Sequence, residues 1–287
     1  MSAHASRPAV LLGLIGQDIQ RSRTPEMHMR EGEARGLRLV YRLIDLTRLG
    51  LGPEALPDLL TAAERMGFSG LNITHPCKQQ VIPHLHELSD DARALGAVNT
   101  VLFKDGKRIG HNTDWSGFAE PFRRKMVGAP LGRVVQIGAG GAGSAVAHAA
   151  MVLGVKELTI FDIDPDRARR VADNLTTHFG AGRAKAGTDL AAAMGAADGL
   201  INATPIGMDA HPGMPLPAEL LRSALWVAEV IYFPLETELL RRARVLGCRT
   251  IDGGGMAVFQ AVAAFRLFTG QEPDAERMAA QFASMGA

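Results

Sequence analysis

The feature that most constrains the fold of this chain is a glycine-rich turn between an apolar segment and an alanine-rich segment, VVQIGAGGAGSAVAHAAM. Three of its glycines follow the spacing G-x-G-x-x-G. Between a strand and a helix, the first glycine permits a tight turn, the second lets the backbone approach a pyrophosphate, and the third lets the helix pack closely on the strand. The N-terminus of that helix offers free N–H groups to the same anion. The pattern predicts a dinucleotide site formed by Gly138, Ala139, Gly140, Gly141, Ala142 and Gly143.

An acidic residue ends the next predicted strand, ELTIFD. Asp162 lies 19 residues after Gly143, where a carboxylate can accept hydrogen bonds from both hydroxyls of an adenosine ribose and repels a 2′-phosphate. Ile163 cannot bind a phosphate, although Arg167 and Arg169 are close enough in sequence to reach one. NAD is therefore favoured over NADP as the cofactor. The alternative, a surface turn with a solvated aspartate, is disfavoured by the complete strand–helix–strand–acid pattern.

Apolar and helical segments alternate along nearly the whole chain. AVLLGLI, LVYRLIDL and GLNIT read as strands, with helices PEMHMREGEARG and ALPDLLTAAERM between them. A second series starts at the glycine-rich turn, and two helices, Ala257–Thr269 and Asp274–Met285, follow it. The rhythm predicts an α/β fold with mostly parallel sheets. A length of 287 residues favours two domains.

Composition excludes several classes of function. The 31 basic and 30 acidic side chains give a formal charge of +1 without a basic block, so neither nucleic acid nor a membrane surface is an expected partner. No run of about 18 apolar residues and no secretory signal pattern occurs. Cys77 and Cys248, with no CxxC pair, favour reduced thiols and a cytoplasmic location, and Cys77 reads as a packed small side chain. No ligand spacing predicts a metal site.

Polar side chains follow the apolar segments of the N-terminal half. They are Ser22 and Thr24 in RSRTP, Asn72, Thr74 and Lys78 in NITHPCK, Asn99 in GAVNT, and Asp114 in HNTD. Because ligands bind outside the carboxyl ends of strands in open α/β sheets, these residues predict a pocket. Singly, each has an ordinary alternative, since lysine is usually a surface charge and Asn or Thr usually caps a turn. Thr24 precedes Pro25 and is predicted at the N-cap of the first helix.

Seven motifs, in order, resemble the shikimate dehydrogenase family. They are SRTPEMH, GLNITHPCK, GAVNT, GHNTD, IGAGGAG, NATPIGM and GMAVFQAV, and they extend from about Leu11 to Gly270. The resemblance is closest to the NAD-dependent quinate/shikimate dehydrogenase branch. It implies a substrate-binding α/β domain, residues 1–114 completed by C-terminal helices in 255–287, and a Rossmann NAD-binding domain, residues 115–254. It also implies reversible oxidation of quinate or shikimate as small-molecule substrates.

The resemblance implies roles for individual residues. Lys78 is the acid–base group and Asp114 its orienting partner. Partial desolvation lowers the pKa of a lysine and a nearby carboxylate raises it; the sequence leaves open which effect is larger. The implied substrate-binding residues are Ser22, Thr24, Asn72, Thr74, Asn99, Tyr232 and Gln260. Thr204, Met208 and Gly253 are implied to contact the cofactor, together with the glycine-rich turn and Asp162.

Two departures from most shikimate-specific members favour the NAD-dependent branch. Ser22-Arg23-Thr24 stands where they have Ser-x-Ser, at the carboxylate end of the pocket, where quinate carries an extra hydroxyl. Asp162-Ile163-Asp164 stands where they have Asn-Arg-Thr, which removes an arginine that holds a 2′-phosphate.

Alternative functions stay open. An NADP-dependent biosynthetic shikimate dehydrogenase, or a dehydrogenase of an amino- or otherwise substituted shikimate, would share many of these motifs. A sensor that binds quinate or NAD without turnover would not need both Lys78 and Asp114. A folate-processing dehydrogenase would not be expected to combine Ser22, Thr24 and Gln260. The chain is expected to be a monomer or a homodimer.

Overall fold

In the computed structural model, which describes residues 8–285, strands and helices alternate along most of the chain. The strands are β1 (Ala9–Gly16), β2 (Arg38–Asp45), β3 (Gly70–Ile73), β4 (Glu87–Leu88), β5 (Thr100–Lys104), β6 (Lys107–His111), β7 (Arg133–Ile137), β8 (Glu157–Phe161), β9 (Ala184–Ala186), β10 (Gly199–Asn202), β11 (Trp226–Glu229) and β12 (Arg249–Ile251). The helices are α1 (Thr24–Ala34), α2 (Leu46–Leu49), α3 (Leu56–Arg65), α4 (Asp90–Leu95), α5 (Asp114–Lys125), α6 (Gly141–Val152), α7 (Pro165–Phe179), α8 (Leu190–Ala196), α9 (Glu238–Val245), α10 (Gly254–Thr269) and α11 (Ala275–Ser284). The predicted α/β class is confirmed.

The chain separates into two units, with one boundary between Thr113 and Asp114 and the other within α10, between Gln260 and Ala261. The first unit contains the chain up to Thr113 and the segment that starts at Ala261; the second is Asp114–Gln260. Which unit binds substrate and which binds cofactor, and the limits predicted for each domain, stay predictions.

The sheet of the first unit has the order β2-β1-β3-β5-β6-β4. β1 pairs in parallel with β2 and β3, as the strand–helix–strand rhythm predicts, but β5 runs antiparallel to both β3 and β6. The cause is local. Asp105 and Gly106 both have positive φ, of 51° and 71°, which is the conformation of a two-residue hairpin turn. The sheet is therefore mixed: β4 and β6 also pair in parallel, so three of its five strand pairs are parallel and two are antiparallel.

Apolar side chains cover both faces of this first sheet. Alternate residues of β1 enter different cores: Leu12 and Leu14 join one, and Ile15 joins the other. The first core also receives Phe265 and Phe268 from α10. The C-terminal part of α10 is therefore part of the first unit's fold.

The sheet of the second unit is parallel throughout, in the order β12-β11-β10-β7-β8-β9. Counted from β7, this is the strand order of the Rossmann fold, which reverses direction between β7 and β10. One core packs α5, α6 and α7 on the sheet, and a second core packs α8 and α9 on it. The predicted Rossmann domain is confirmed, and a dinucleotide binds such a sheet at the crevice where the order reverses.

The two last helices start and end slightly differently from the prediction. Helix α10 begins at Gly254, three residues before the predicted start, because Oδ1 of Asp252 accepts a hydrogen bond of 3.0 Å from Gly254 N and supports a start among glycines. Asp274 is the N-cap of α11, where its carboxylate accepts from Arg277 N. Within residues 8–285, no helix has both the length and the apolar character that crossing a membrane requires.

Candidate functional site

The glycine-rich turn joins β7 to α6 at the crevice of the second sheet. Gly138 has a φ of +100°, and a Cβ on it would lie 2.5 Å from the carbonyl oxygen of Ala203 at the end of β10. A Cβ on Gly143 would lie 2.4 Å from Gly138 O. By contrast, a Cβ on Gly140, the N-cap of α6, would meet nothing within 4 Å. The first and third glycines are thus required by packing, and the second leaves open space where the helix N-terminus can receive a phosphate.

A buried glutamine braces the turn. Gln136, in β7, is fully buried, and its Nε2 donates hydrogen bonds of 2.8 Å to both Gly138 O and Gly143 O. These bonds hold the first and third glycines of the motif together. Gln136 is not among the predicted site residues, although a polar residue inside the apolar run VVQI is a signal for a buried hydrogen-bonding role.

Asp162 lies directly against the turn. Its Oδ2 accepts a bond of 2.7 Å from Ala139 N, and its Oδ1 accepts one of 2.9 Å from Asp164 N. Its side chain is only 7% exposed, whereas Ile163 beside it is fully exposed. The guanidinium of Arg167 lies 3.7 Å from Asp162 Oδ1. The structure therefore brings Asp162 to the dinucleotide turn, with a cation nearby.

The loop after β10 carries Thr204 and Met208. Asn202 Oδ1 accepts bonds from both Thr204 N, at 3.1 Å, and Thr204 Oγ1, at 2.7 Å, and Thr204 Oγ1 accepts from Ile206 N at 3.1 Å. Met208 is 39% exposed. The hydroxyl of Thr204 thus stabilises the loop that contains it. This loop starts beside Gly138 at the crevice.

A buried acid supports this loop and the next one. Glu229, at the end of β11, is 1% exposed. Both of its oxygens accept from Asn202 Nδ2 at 3.0 Å, and further donors are Val230 N, Ile231 N and Thr237 Oγ1. Burial raises the pKa of Glu229 to about 7, although each of these donors acts to lower it. Glu229 is not among the predicted site residues, since nothing in VAEVIYFP shows that Asn202 lies beside it.

Two predicted residues follow Glu229 in the second unit. Tyr232 is 46% exposed in the segment after β11. Gly253 is buried, and a Cβ on it would lie 2.3 Å from Val230 O. Gly253 is therefore required by close backbone packing beside the segment that carries Tyr232.

In the first unit, the turn NITHPCK follows β3. Cys77 is fully buried, and burial raises the pKa of its thiol to about 11, so it is a packed protonated thiol rather than a nucleophile. The backbone of Lys78 is held because its carbonyl accepts from Val98 N at 2.8 Å. Thr74 N donates to Ile15 O at 2.9 Å and anchors the start of the turn. Lys78 itself is half-buried, so it is not a fully solvated surface charge.

Asn72 and Asn99 belong to one buried hydrogen-bond network. Asn72 Nδ2 donates to Asn99 O and to Thr100 Oγ1, and its Oδ1 accepts from Tyr41 OH at 2.8 Å. Asn99 Oδ1 accepts from Thr100 Oγ1 and from Thr113 N. The structure therefore brings together two predicted substrate-binding residues, with both carboxamides oriented by other protein groups.

The start of α1 differs from the prediction by one residue. The N-cap is Arg23, which makes no side-chain cap bond, and Thr24 is the first helical residue; the prediction of Thr24 as the N-cap is wrong. The hydroxyl of Ser22 takes over part of the capping function, because Ser22 Oγ accepts from Thr24 N at 3.3 Å. Both side chains are half-buried at the helix N-terminus.

Asp114 and Gln260 lie in the second unit. Asp114 is the first residue of α5 and is 7% exposed. Gln260 is half-buried in α10, where its Nε2 donates to Ala257 O at 3.2 Å. Because Lys78 belongs to the first unit, its pairing with Asp114 stays a prediction. In the part of the chain that the structure describes, no group of three or more His, Cys, Asp or Glu side chains is arranged to hold a metal ion.

Family models match most of the chain. The shikimate dehydrogenase substrate binding domain matches residues 14–101, and the shikimate 5′-dehydrogenase C-terminal domain matches residues 253–281. Residues 124–217, which include the glycine-rich turn, match the C-terminal domain of alanine dehydrogenase/PNT.

Similar proteins cover nearly the whole chain but differ in cofactor. A shikimate dehydrogenase (NADP(+)) of Streptomyces avermitilis is 59% identical over 98% of this chain and 97% of its own. A quinate/shikimate dehydrogenase (NAD(+)) of Corynebacterium efficiens is 51% identical over 96% of this chain and 99% of its own. Among solved structures, the quinate dehydrogenase of Corynebacterium glutamicum in complex with NAD has a TM-score of 0.93 and 48% identity, and the match covers 97% of this chain and 100% of that one.

Proposed function

The chain belongs to the shikimate dehydrogenase family, and on that premise we propose that it is an NAD-dependent quinate/shikimate dehydrogenase. It is an oxidoreductase of the shikimate/quinate type that uses a nicotinamide dinucleotide. The proposed reactions are the reversible oxidation of quinate to 3-dehydroquinate and of shikimate to 3-dehydroshikimate. The observation that carries the choice of NAD is the position of Asp162 against the glycine-rich turn.

Asp162 favours a cofactor with a free ribose. Each of its oxygens accepts one backbone N–H, and a carboxylate has about four acceptor sites, so sites remain for the two ribose hydroxyls. A 2′-phosphate would place negative charge beside this nearly buried carboxylate. Ile163 adds no cation. The site thus suits NAD better than NADP.

A second candidate is an NADP-dependent shikimate dehydrogenase, and one feature favours it. Arg167 lies within 3.9 Å of both Asp162 and Asp164, and its side chain is 48% exposed. Because these separations are 3.7 and 3.9 Å, longer than a hydrogen bond, and the guanidinium is half-exposed, Arg167 can turn towards a phosphate. The Streptomyces relative is of the NADP type.

Lys78 and Asp114 are proposed as the catalytic pair. Oxidation of a ring alcohol removes a hydride from carbon and a proton from the hydroxyl. When bound, NAD supplies the hydride acceptor. The amine of Lys78 takes the proton from the substrate hydroxyl and returns it in the reverse reaction. The anchored backbone of Lys78 limits where its amine can reach, and Asp114 orients that amine.

The substrate is proposed to contact seven polar side chains. Ser22 and Thr24, at the N-terminus of α1, suit the substrate carboxylate. The ring hydroxyls are assigned to Asn72, Thr74, Asn99, Tyr232 and Gln260. The N–H groups of Asn72 are both committed inside the protein, so Asn72 would offer its Oδ1. Thr204, Met208 and Gly253 are proposed to border the cofactor with residues 138–143.

Two measurements test the proposal. Initial rates with quinate or shikimate, each with NAD or NADP, should give the highest kcat/KM with NAD; a higher value with NADP for both substrates would favour the second candidate. Lys78→Ala should lower kcat by about 10²–10⁴-fold. The matched control is Lys107→Ala, which removes an exposed lysine of the same unit that pairs with Glu87 and should leave kcat unchanged. A Lys78→Ala enzyme within about threefold of the parent would contradict the acid–base role.

A further inference from the structure

The first unit contains a continuous line of buried hydrogen bonds that begins at a tyrosine with no assigned role. Tyr41, in β2, is 5% exposed and its hydroxyl donates to Asn72 Oδ1 at 2.8 Å. Asn72 donates to Thr100 Oγ1 at 3.0 Å, and Thr100 Oγ1 donates to Asn99 Oδ1 at 2.9 Å. Asn72 and Asn99 are both among the residues proposed to contact substrate hydroxyls. The line therefore connects the core of the unit to its proposed substrate site.

We propose that Tyr41 is a positioning residue for substrate binding, which acts through Asn72 and Thr100 to fix the carboxamide of Asn99. The inference rests on the proposed function, because it takes Asn99 as a substrate contact. It concerns a residue that lies outside all the motifs that resemble the family.

The direction of each bond determines the orientation of the next group. Because Tyr41 OH donates to Asn72, the oxygen of the Asn72 carboxamide must face Tyr41 and its nitrogen must face Thr100. Thr100 Oγ1 accepts from that nitrogen and has one proton left, which it donates to Asn99 Oδ1. The nitrogen of Asn99 must then face away from Thr100, and it donates to Thr113 Oγ1 at 2.9 Å.

Tyr41 is suited to be the first donor of this hydrogen-bond network. Its ring packs in the core beside His28, with centroids 5.1 Å apart. Burial raises the pKa of Tyr41 well above its usual value, so the hydroxyl stays protonated and remains a donor. At the other end, Thr113 N donates to Asn99 Oδ1 at 2.8 Å, and Thr113 directly precedes Asp114 in the chain. The network therefore also holds the backbone next to the proposed partner of Lys78.

Tyr41→Phe tests the inference, since it removes one hydroxyl and keeps the ring. Losing the bond should raise KM for quinate and for shikimate about three- to tenfold, in line with the usual value of one hydrogen bond. The KM for NAD should stay within about twofold, because the change lies in the first unit. Thr100→Val breaks the next link and should reproduce the effect. The matched control is Leu39→Val, which shortens an apolar side chain of the same strand and core and leaves the hydrogen-bond network intact. It should leave the KM values for quinate, shikimate and NAD unchanged.

A double-mutant cycle separates positioning from a general structural role. If Tyr41 acts through Asn99, adding Tyr41→Phe to Asn99→Ala should change substrate KM by less than about twofold. The inference is overturned if Tyr41→Phe leaves substrate KM at the parental value, if its effect is as large in the Asn99→Ala background, or if Leu39→Val has the same effect. An Asn99→Ala enzyme with parental KM would overturn the assignment of Asn99 itself, and the inference with it.

Discussion

Replacing Glu229 with Gln should remove a pH dependence from the stability of this protein. Glu229, at the end of β11, is 1% exposed, and burial raises its pKa from 4.5 to about 7. Gln has nearly the same shape, and its oxygen can still accept from Asn202 Nδ2 and from the amides of Val230 and Ile231. Its nitrogen would face Thr237, whose hydroxyl can turn to accept.

The sign of the effect follows from the direction of the shift. A raised pKa means that the folded protein binds this proton more tightly than the unfolded chain does. The contribution to stability is therefore complete below about pH 4.5 and is lost as the pH rises through about 7. A shift of this size corresponds to about 3 kcal/mol in all, of which about 2.5 kcal/mol is lost between pH 5 and pH 8.

Urea denaturation of the parent and of Glu229→Gln at several pH values between about 5 and 8 measures this directly. Other titrating groups contribute equally to both proteins, so they cancel in the difference between the two free energies of unfolding. That difference should move by about 2.5 kcal/mol in favour of the variant as the pH rises. A difference that stays constant within about 0.5 kcal/mol would refute the reasoning and show that Glu229 is ionised throughout.

Three further changes have expected outcomes. The double change Asp162→Asn with Ile163→Arg removes a carboxylate and adds a cation beside the adenosine ribose. Initial rates with each cofactor should show that the ratio of kcat/KM for NADP to kcat/KM for NAD rises at least about tenfold. An unchanged ratio would count against the NAD assignment. Gly143→Ala should weaken cofactor binding measured by calorimetry, since its Cβ would lie 2.4 Å from Gly138 O, whereas Gly195→Ala, in α8 of the same unit, serves as a control because its Cβ would meet nothing within 4 Å. Arg277→Met should lower the free energy of unfolding by about 3 kcal/mol, because it removes two hydrogen bonds from the fully buried carboxylate of Glu31. A loss under about 1 kcal/mol would show that Arg35 and the amide of Asp274 are enough to stabilise that carboxylate.

Local patterns predicted most of the elements that carry the site. The glycine spacing placed the turn, the acid after ELTIF placed Asp162 beside it, and the alternation of apolar and helical segments predicted the α/β class. Where the structure differs in detail, a short-range feature of the chain is responsible. The turn at Asp105 and Gly106 makes β5 and β6 antiparallel. At the start of α1, the hydroxyl of Ser22 accepts a hydrogen bond from the backbone N–H of Thr24.

Residues with distant partners were not predictable in the same way. Glu229 depends on Asn202, 27 residues away, and Tyr41 depends on Asn72, 31 residues away. Glu31 pairs with Arg277 at a separation of 246 residues. In each case the sequence shows the polar or charged residue but not the distant group that pairs with it.

By itself, the sequence determined the dinucleotide turn, its neighbouring acid and the family. These features depend on residues that are close together in the sequence, because such residues decide how much room the backbone has and which local hydrogen bonds form. Only the tertiary structure decided which buried polar groups face one another and which way each carboxamide points. That choice depends on strand order and register, and a polar group removed from water must find its partner wherever the packed chain brings one.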